Sequence, residues 1–383
     1  MRNEFLVFGQ PLIEEEEKEE VLDSMAKAWL GTGPKVARFE RDFAAYKGAT
    51  YAAALNSCTA ALHLSLLVLE LKPGDEVITS PMTFCATVNT IIHAGGTPVL
   101  ADVEPGTMNI DPAEILKKIT RRTRAILPVH FAGRACAMDA VMAIAREHNL
   151  AVIEDCAHAI ETEYKGQKAG TMGDFGCFSF YSTKNVVTGE GGLVITRRAE
   201  HADRIKVLGL HGMSKDAWKR FSDAGFKHYD VVEAGFKYNM MDLQAAIGIH
   251  QLARVEKYWK KREAVWGKYQ EAFARLPVGT PAPVEAGTRH AYHLYTLLVD
   301  GARTGIRRDE FLDAMTREKI GVGVHYRSIP EHPFYRKTFG WKCEEYPQAY
   351  RIGQQTVSLP ISPKLTETDV QDVITAVQKL VGT

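Results

Sequence analysis

Four short apolar runs recur between residues 76 and 155, each closing on small or polar residues. They are Glu76-Val77-Ile78-Thr79-Ser80-Pro81, Pro98-Val99-Leu100-Ala101-Asp102-Val103, Ala125-Ile126-Leu127-Pro128-Val129-His130 and Ala151-Val152-Ile153-Glu154-Asp155. Runs of this length that stay apolar instead of alternating are the pattern of buried strands. Helix-like stretches such as Met138 to His148 separate them. The alternation predicts an α/β domain around a largely parallel sheet, whose ligands gather at the carboxyl ends of the strands.

Around this block the pattern is helical. Ile13, Val21, Leu22, Met25 and Trp29 recur at roughly helical spacing, which makes Glu14 to Glu17 a solvated helix start. A long amphipathic segment from Met241 to Leu276 runs into the Pro/Gly-rich break Leu276-Pro277-Val278-Gly279-Thr280-Pro281-Ala282-Pro283. The last helix opens on a capping box, Thr366-Glu367-Thr368-Asp369, and carries Val370, Val373, Ile374, Val377 and Leu380 on one face. The expected organisation is a large α/β domain over residues 1–248 and a smaller α+β domain over 249–383.

Charge narrows the partners. Forty-seven Lys and Arg balance 47 Asp and Glu, so nothing in the composition draws the chain to nucleic acid or to an anionic membrane. No stretch is apolar long enough to span a bilayer, and the start MRNEFLVFGQPLIEEEEKEE lacks a leader pattern, so a cytoplasmic protein is expected. The six cysteines form no C-x-x-C pair, which fits reduced thiols and no metal. Neither Gly31-Thr32-Gly33 nor Gly321-Val322-Gly323 completes a dinucleotide fingerprint, and no Walker A loop is present.

Three segments can carry chemistry. Asn56-Ser57-Cys58-Thr59-Ala60-Ala61-Leu62 reads as a helix start, either a plain cap or a phosphate site made by free N–H groups and hydroxyls. Asp155 closes a buried strand, where a carboxylate needs a cation or hydrogen bonds. A protonated pyridine nitrogen is one such cation. Lys184 follows the aromatic run Phe178-Ser179-Phe180-Tyr181 and precedes Gly189-Glu190-Gly191-Gly192. It is either a solvated loop lysine or an amine held in a confined site, where desolvation favours the neutral form that imine chemistry needs.

Together these segments resemble the DegT/DnrJ/StrS family of sugar aminotransferases, of the aspartate aminotransferase fold (fold type I) with a mainly parallel seven-stranded sheet. The likeness runs nearly end to end through Gly31-Thr32-Gly33, the Asn56 helix start, Pro81-Met82-Thr83-Phe84, Glu154-Asp155-Cys156-Ala157-His158-Ala159, Ser179 to Lys184 with the glycine cluster, Leu210-His211-Gly212 and Ser358-Leu359-Pro360.

The resemblance implies pyridoxal phosphate bound as a Schiff base to Lys184, with Asp155 at its pyridine nitrogen. It also implies Phe84 stacked on the ring, His158 near the 3-hydroxyl, and Ser179, Cys58 and Thr59 at the phosphate. The family's Asn-Tyr/Phe-Arg triplet, whose Asn reaches the neighbouring subunit's phosphate, reads Lys237-Tyr238-Asn239 here. Lys237 therefore takes the Asn place, with Asn239 sharing its task, in a homodimer of shared sites.

A sugar nucleotide is expected near Phe8, near Ala28, Trp29, Leu30 and Gly31, and near His325 and Tyr326. Glutamate, leaving as 2-oxoglutarate, is the expected donor. The motifs look most like the branch that makes UDP-4-amino-4-deoxy-L-arabinose. Loops around Trp29, Lys215 to His228 and His325 are expected to choose the sugar. A sugar dehydratase or a non-catalytic regulator of the same family is the alternative; dehydratases typically replace the lysine with His, and Lys184 is intact.

Overall fold

A computed structural model of the chain describes residues 2–214 and 228–382. Its N-terminal part runs α1 (Glu15–Ala26), α2 (Pro34–Lys47), β1 (Tyr51–Leu55), α3 (Cys58–Val68), β2 (Glu76–Thr79), α4 (Cys85–His93), β3 (Thr97–Leu100), α5 (Pro112–Lys118), β4 (Thr123–Leu127), α6 (Met138–Glu147) and β5 (Ala151–Asp155). The short strands β6 (Glu163–Tyr164) and β7 (Gln167–Lys168), then β8 (Phe175–Ser179), β9 (Gly192–Thr196) and α7 (Ala199–Leu208) follow. After them come α8 (Asp242–Ala253), α9 (Val255–Phe273), β10 (Thr288–Arg289), β11 (Tyr295–Leu298), α10 (Gly301–Thr304), α11 (Arg308–Arg317), α12 (Pro333–Phe339), α13 (Pro347–Gln355), β12 (Thr356–Leu359) and α14 (Glu367–Val381).

The large sheet has the seven strands that the resemblance implied, in the order β1-β9-β8-β5-β4-β2-β3. All neighbours pair in parallel except β9, which runs antiparallel to β1 and β8. Every residue of β2, β8 and β9 is buried, which is why these strands read as continuous apolar runs. The reversal of β9 matters for the site. It brings Gly192 level with Leu55 on one side and Ser179 on the other, so the start of β9 meets the ends of β1 and β8 at one sheet edge.

The segment expected to be one long amphipathic stretch is two helices broken at Arg254, which is itself the cap between them. Ile249, Leu252 and Val255 pack with Phe39 and Phe43, whereas Val265, Trp266, Tyr269 and Phe273 pack into a second core with Tyr295, Phe311, Val373 and Val377. Packing thus changes hands within α9. Leu6 packs on the second core and Arg2 ion-pairs with Asp369 and Asp372, so the first residues join the C-terminal unit.

One expectation needs correction. Glu17 is not solvated: it is buried, accepts from Gln251 Nε2 at 2.7 Å and ion-pairs with Arg254. Burial pushes its carboxyl up, but Arg254 and Gln251 more than offset this and hold it below the usual carboxylate range. A glutamate run cannot announce which member a distant arginine will claim. Among the described residues no helix is long and apolar enough to cross a membrane.

Candidate active site

The carboxyl edge of the large sheet opens into a cavity of about 370 Å³. Each part of its wall has a structural reason. At the end of β1 the chain turns through Ser57, whose Oγ accepts from Ala60 N at 3.1 Å and caps α3. That bond takes one of the free amides of the first turn; Cys58 and Thr59, whose amides have no backbone acceptor among the described residues, line the cavity. Gly192 makes this approach possible, because a Cβ there would sit 2.2 Å from the carbonyl carbon of Ser57. Thr59 is exposed, Ser179 and Cys58 are buried, and burial pushes the Cys58 thiol well up, so it lines the site as a neutral group.

Asp155 ends β5 and is 4% exposed. Its Oδ1 accepts from Ala157 N at 3.1 Å and its Oδ2 from Thr87 Oγ1 at 2.9 Å; the Thr83 hydroxyl lies 2.7 Å from that of Thr87. With Thr87 donating to the carboxylate, Thr83 donates to Thr87. Burial still pushes the Asp155 carboxyl above its usual value, against the pull of Ala157, Thr87 and Lys184. A cation brought to this carboxylate would be well stabilised.

Lys184 sits in the hairpin-like loop between β8 and β9. Phe180 N donates to Gly191 O at 2.9 Å, Thr188 N to Phe180 O at 2.8 Å and Lys184 N to Tyr181 O at 2.8 Å, while Gly189 takes φ +83°, where glycine is unstrained. The loop aims the amine into the cavity, where no described residue hydrogen-bonds to it. Burial lowers the amine to about 8, against the raising effect of Cys58 and Asp155. Next to it, Asn185 is clamped: Nδ2 donates to both carboxylate oxygens of Glu161 at 3.0 and 2.9 Å and to Ala291 O at 2.9 Å, and Oδ1 lies 3.0 Å from His293 Nδ1.

Phe84, the N-cap residue of α4, presents a ring 58% exposed at the cavity wall. His158, His325 and Tyr326 close the opposite side. His325 accepts or donates at Ser358 Oγ, 2.9 Å away; burial and the Lys184 charge push its pKa down to about 4. Phe8 lies outside the cavity lining but stacks on His325 at 5.7 Å.

The remaining expected residues lie elsewhere in this chain. Ala28, Trp29, Leu30 and Gly31 form an exposed turn after α1, outside the cavity lining. The Trp29 indole lies over Gly33, where a Cβ would make it move aside, and Asp242 caps α2 by accepting from Lys35 N and Val36 N at 3.1 and 2.9 Å. Lys237 is exposed. Asn239 Nδ2 donates to Thr32 Oγ1 at 2.7 Å, while its Oδ1 is buried without a partner. Of the loop expected to choose the sugar, residues 215–227 lie outside the described residues.

Two features escaped the sequence reading. Thr87 lies three residues beyond Phe84, so α4 presents both to the cavity on one helical face; that spacing was the available signal. The conjunction of His130, Glu154 and Cys156 has the makings of a metal site. Hydrogen bonds account for it instead. Cys136 N donates to His130 Nδ1 at 3.1 Å, so His130 donates from Nε2 to Glu154 Oε2 at 3.0 Å. Gly170, Met172 and Gly173 amides also donate to Glu154, at 2.7, 2.8 and 2.7 Å. This network locks the strand end that carries Asp155.

A phosphorylated pyridine aldehyde fits this set of groups: free amides at a helix start for the phosphate, an unpartnered amine for the aldehyde, a buried carboxylate for the ring nitrogen and an uncovered aromatic face for the ring.

Comparison with known proteins agrees. The model of the DegT/DnrJ/EryC1/StrS aminotransferase family matches residues 11–378. The chain is 49% identical over 381 residues to the spore coat polysaccharide biosynthesis protein SpsC of Bacillus subtilis, covering 99% of this chain and 98% of that one. Among solved structures, the putative sugar aminotransferase Spr1654 of Streptococcus pneumoniae superposes in its PMP form with a TM-score of 0.93 at 32% identity, over 98% of this chain and 99% of that one. Its PLP form gives 0.91 at 31%, over 99% of both. DesI, solved in the presence of its TDP-sugar product, gives 0.86 at 29%, over 99% of this chain and 93% of that one.

Proposed function

We propose that this chain, which belongs to the DegT/DnrJ/EryC1/StrS aminotransferase family, moves the amino group of glutamate onto a keto-sugar nucleotide, with a UDP-linked 4-keto sugar as its acceptor. Pyridoxal phosphate is the cofactor and sugar transamination the reaction class. The observation that supports transamination at this cavity is the presence in it of a lysine amine lowered by burial and a buried carboxylate raised by burial; the sugar-nucleotide acceptor is supported by the family and its relatives.

When bound, the cofactor supplies an electron sink for breaking the C–H bond beside the substrate nitrogen. The chain does the rest. Lys184 would hold the cofactor through its amine, and the same amine would serve as the base, and then the acid, for the proton at the reacting carbon. An amine near pKa 8 suits both tasks close to neutral pH. Asp155, oriented by Thr87 and Ala157, would keep a proton on the pyridine nitrogen. Cys58 and Thr59 amides with the Thr59 and Ser179 hydroxyls would hold the phosphate, and Phe84 would pack on the ring.

The same reading makes the working unit a homodimer. Trp29 and Leu30 are 51% and 48% exposed, beside exposed Leu22, Met25 and Met241, an apolar surface that a second copy would cover while bringing residues 28–31 and Lys237 to the neighbouring cavity. The six free cysteines support a reducing, cytoplasmic setting. DesI's TDP-sugar product supports a nucleotide-linked acceptor. The test loads the protein with cofactor, converts it with glutamate, and adds UDP-, dTDP- and GDP-linked keto sugars in turn. Recovery of the visible absorbance with a UDP-4-keto sugar is expected; recovery with none of the keto sugars contradicts the acceptor class.

A further inference from the structure

Hydrogen placement on the His158 side of the cavity follows from three fixed bonds. Ala132 N donates to His158 Nδ1 at 3.3 Å. A backbone amide only donates, so Nδ1 carries the lone pair. Burial, with the charge of Lys184 and the neighbouring His293 and His325, holds His158 well below the usual histidine range, and the ring is neutral with its one proton on Nε2. That nitrogen lies 3.1 Å from Tyr326 Oη, so the imidazole donates and the phenol oxygen accepts.

The phenol proton is then uncommitted. Burial raises the Tyr326 phenol above its usual value, so the proton stays, and no described residue accepts it. Tyr326 lines the cavity with Asp155, Lys184 and Phe84, its ring 6.0 Å from that of Phe84. The arrangement is also rigid from behind. His293 packs its ring 4.4 Å from that of His158, and Asn185 fixes His293: because Asn185 Nδ2 is held as a donor by Ala291 O, its Oδ1 accepts from His293 Nδ1. Thus the residue next to Lys184 braces the histidine that aims Tyr326.

We propose that Tyr326, rather than His158, is the hydrogen-bond donor this chain offers to the ring oxygen of bound pyridoxal phosphate, and that His158 and His293 are positioning residues fixing the direction of that donor. The inference rests on the cavity being the cofactor site. It revises the role drawn from family resemblance, in which His158 served the 3-hydroxyl and Tyr326 the sugar. A donor at that oxygen withdraws charge from the ring and lowers the proton affinity of the Schiff-base nitrogen beside it. Tyr326 belongs to the C-terminal part of the chain while Lys184, Asp155 and Phe84 belong to the sheet edge, so this donor ties cofactor electronics to the seating of one part on the other.

The test is a pH titration of the visible absorbance of cofactor-loaded protein, without substrate. Tyr326→Phe, which keeps the ring and removes the hydroxyl, is expected to raise the midpoint by about one pH unit, a tenfold change in proton affinity. His158→Gln, which loosens the phenol without deleting it, is expected to shift it the same way by less. A larger shift in His158→Gln than in Tyr326→Phe makes His158 the donor and overturns the proposal. So does an unchanged Tyr326→Phe midpoint accompanied by a raised KM for the keto sugar, since the phenol then serves substrate. Protein that shows no visible band on loading, before any substitution, instead removes the premise that the cavity takes the cofactor.

Discussion

The cavity wall and the exposed turn at residues 28–31 differ in what one copy of the chain can finish. At the wall, nearly every polar group has its partner within the chain: Asp155 is held by Thr87 and Ala157, Asn185 by Glu161, Ala291 and His293, and Ser57 by Ala60. Among the described residues the exceptions are the amine of Lys184, the phenol proton of Tyr326 and the first amides of α3, all of them groups that a bound cofactor can use. The turn is the reverse. Trp29 and Leu30 are half exposed, Lys237 is exposed, and Asn239 Oδ1 is buried without a partner. On the homodimer proposed above, the difference separates the parts of the site that one copy finishes from those that a second copy would complete.

Substitutions separate the two regions. On the roles proposed for Lys184, Lys184→Ala would remove both the covalent anchor and the proton carrier, and turnover is expected to fall by roughly 10⁴-fold or more. Steady-state assay with glutamate checks it; turnover within tenfold of normal breaks the assignment of the wall as reaction centre. Asp155→Asn is expected to bind cofactor but lose about 10²-fold in the glutamate half-reaction, equivalent to ~3 kcal/mol of transition-state stabilisation. Stopped-flow absorbance reads this directly, and a near-normal rate removes Asp155 from its role.

Lys237→Ala sharpens the comparison because its effect should appear in the neighbour's site. Cofactor retention is expected to weaken by about tenfold, the scale of one charge-assisted contact, with Lys184 chemistry intact. Mixing inactive Lys184→Ala with inactive Lys237→Glu under subunit exchange is expected to restore activity toward half per mixed dimer. A mixture that stays dead after verified exchange returns Lys237 to an ordinary surface lysine.

The lowered amine of Lys184 sets a pH dependence. Only the neutral amine attacks an aldehyde; with a pKa of about 8, roughly a tenth is neutral at pH 7 and roughly nine tenths at pH 9. Reloading of cofactor-free protein is therefore expected to speed up by about tenfold between these values and then level off. A rate still climbing toward pH 10.5 would mean that the site does not desolvate the amine. The smallest effect is expected for Thr87→Val, which removes one hydrogen bond to Asp155 and should slow the half-reaction by about three- to tenfold.

The sheet was legible because its strands are buried on both faces and so cannot hide among alternating patterns: β2 and β5 fall where the apolar runs lie. The capping box of α14 was legible because it is local, with Thr366 Oγ1 accepting from Asp369 N at 3.1 Å. What escaped is long-range. Glu17 is claimed by Arg254 from 237 positions away, and the break between α8 and α9 leaves the apolar periodicity undisturbed. In the site, Lys184 and Asp155 stood out through strand ends and glycines, whereas Thr87, Asn185 and His293 matter only through bonds that folding creates. The direction of the Tyr326 hydroxyl is further removed still, since it depends on an amide of residue 132.

Reduction of the cofactor-loaded protein with borohydride, followed by peptide mass mapping, tests the central assignment most directly. A single pyridoxyl adduct is expected, on the peptide that contains Lys184. An adduct on any other lysine, with Lys184 unmodified, contradicts it.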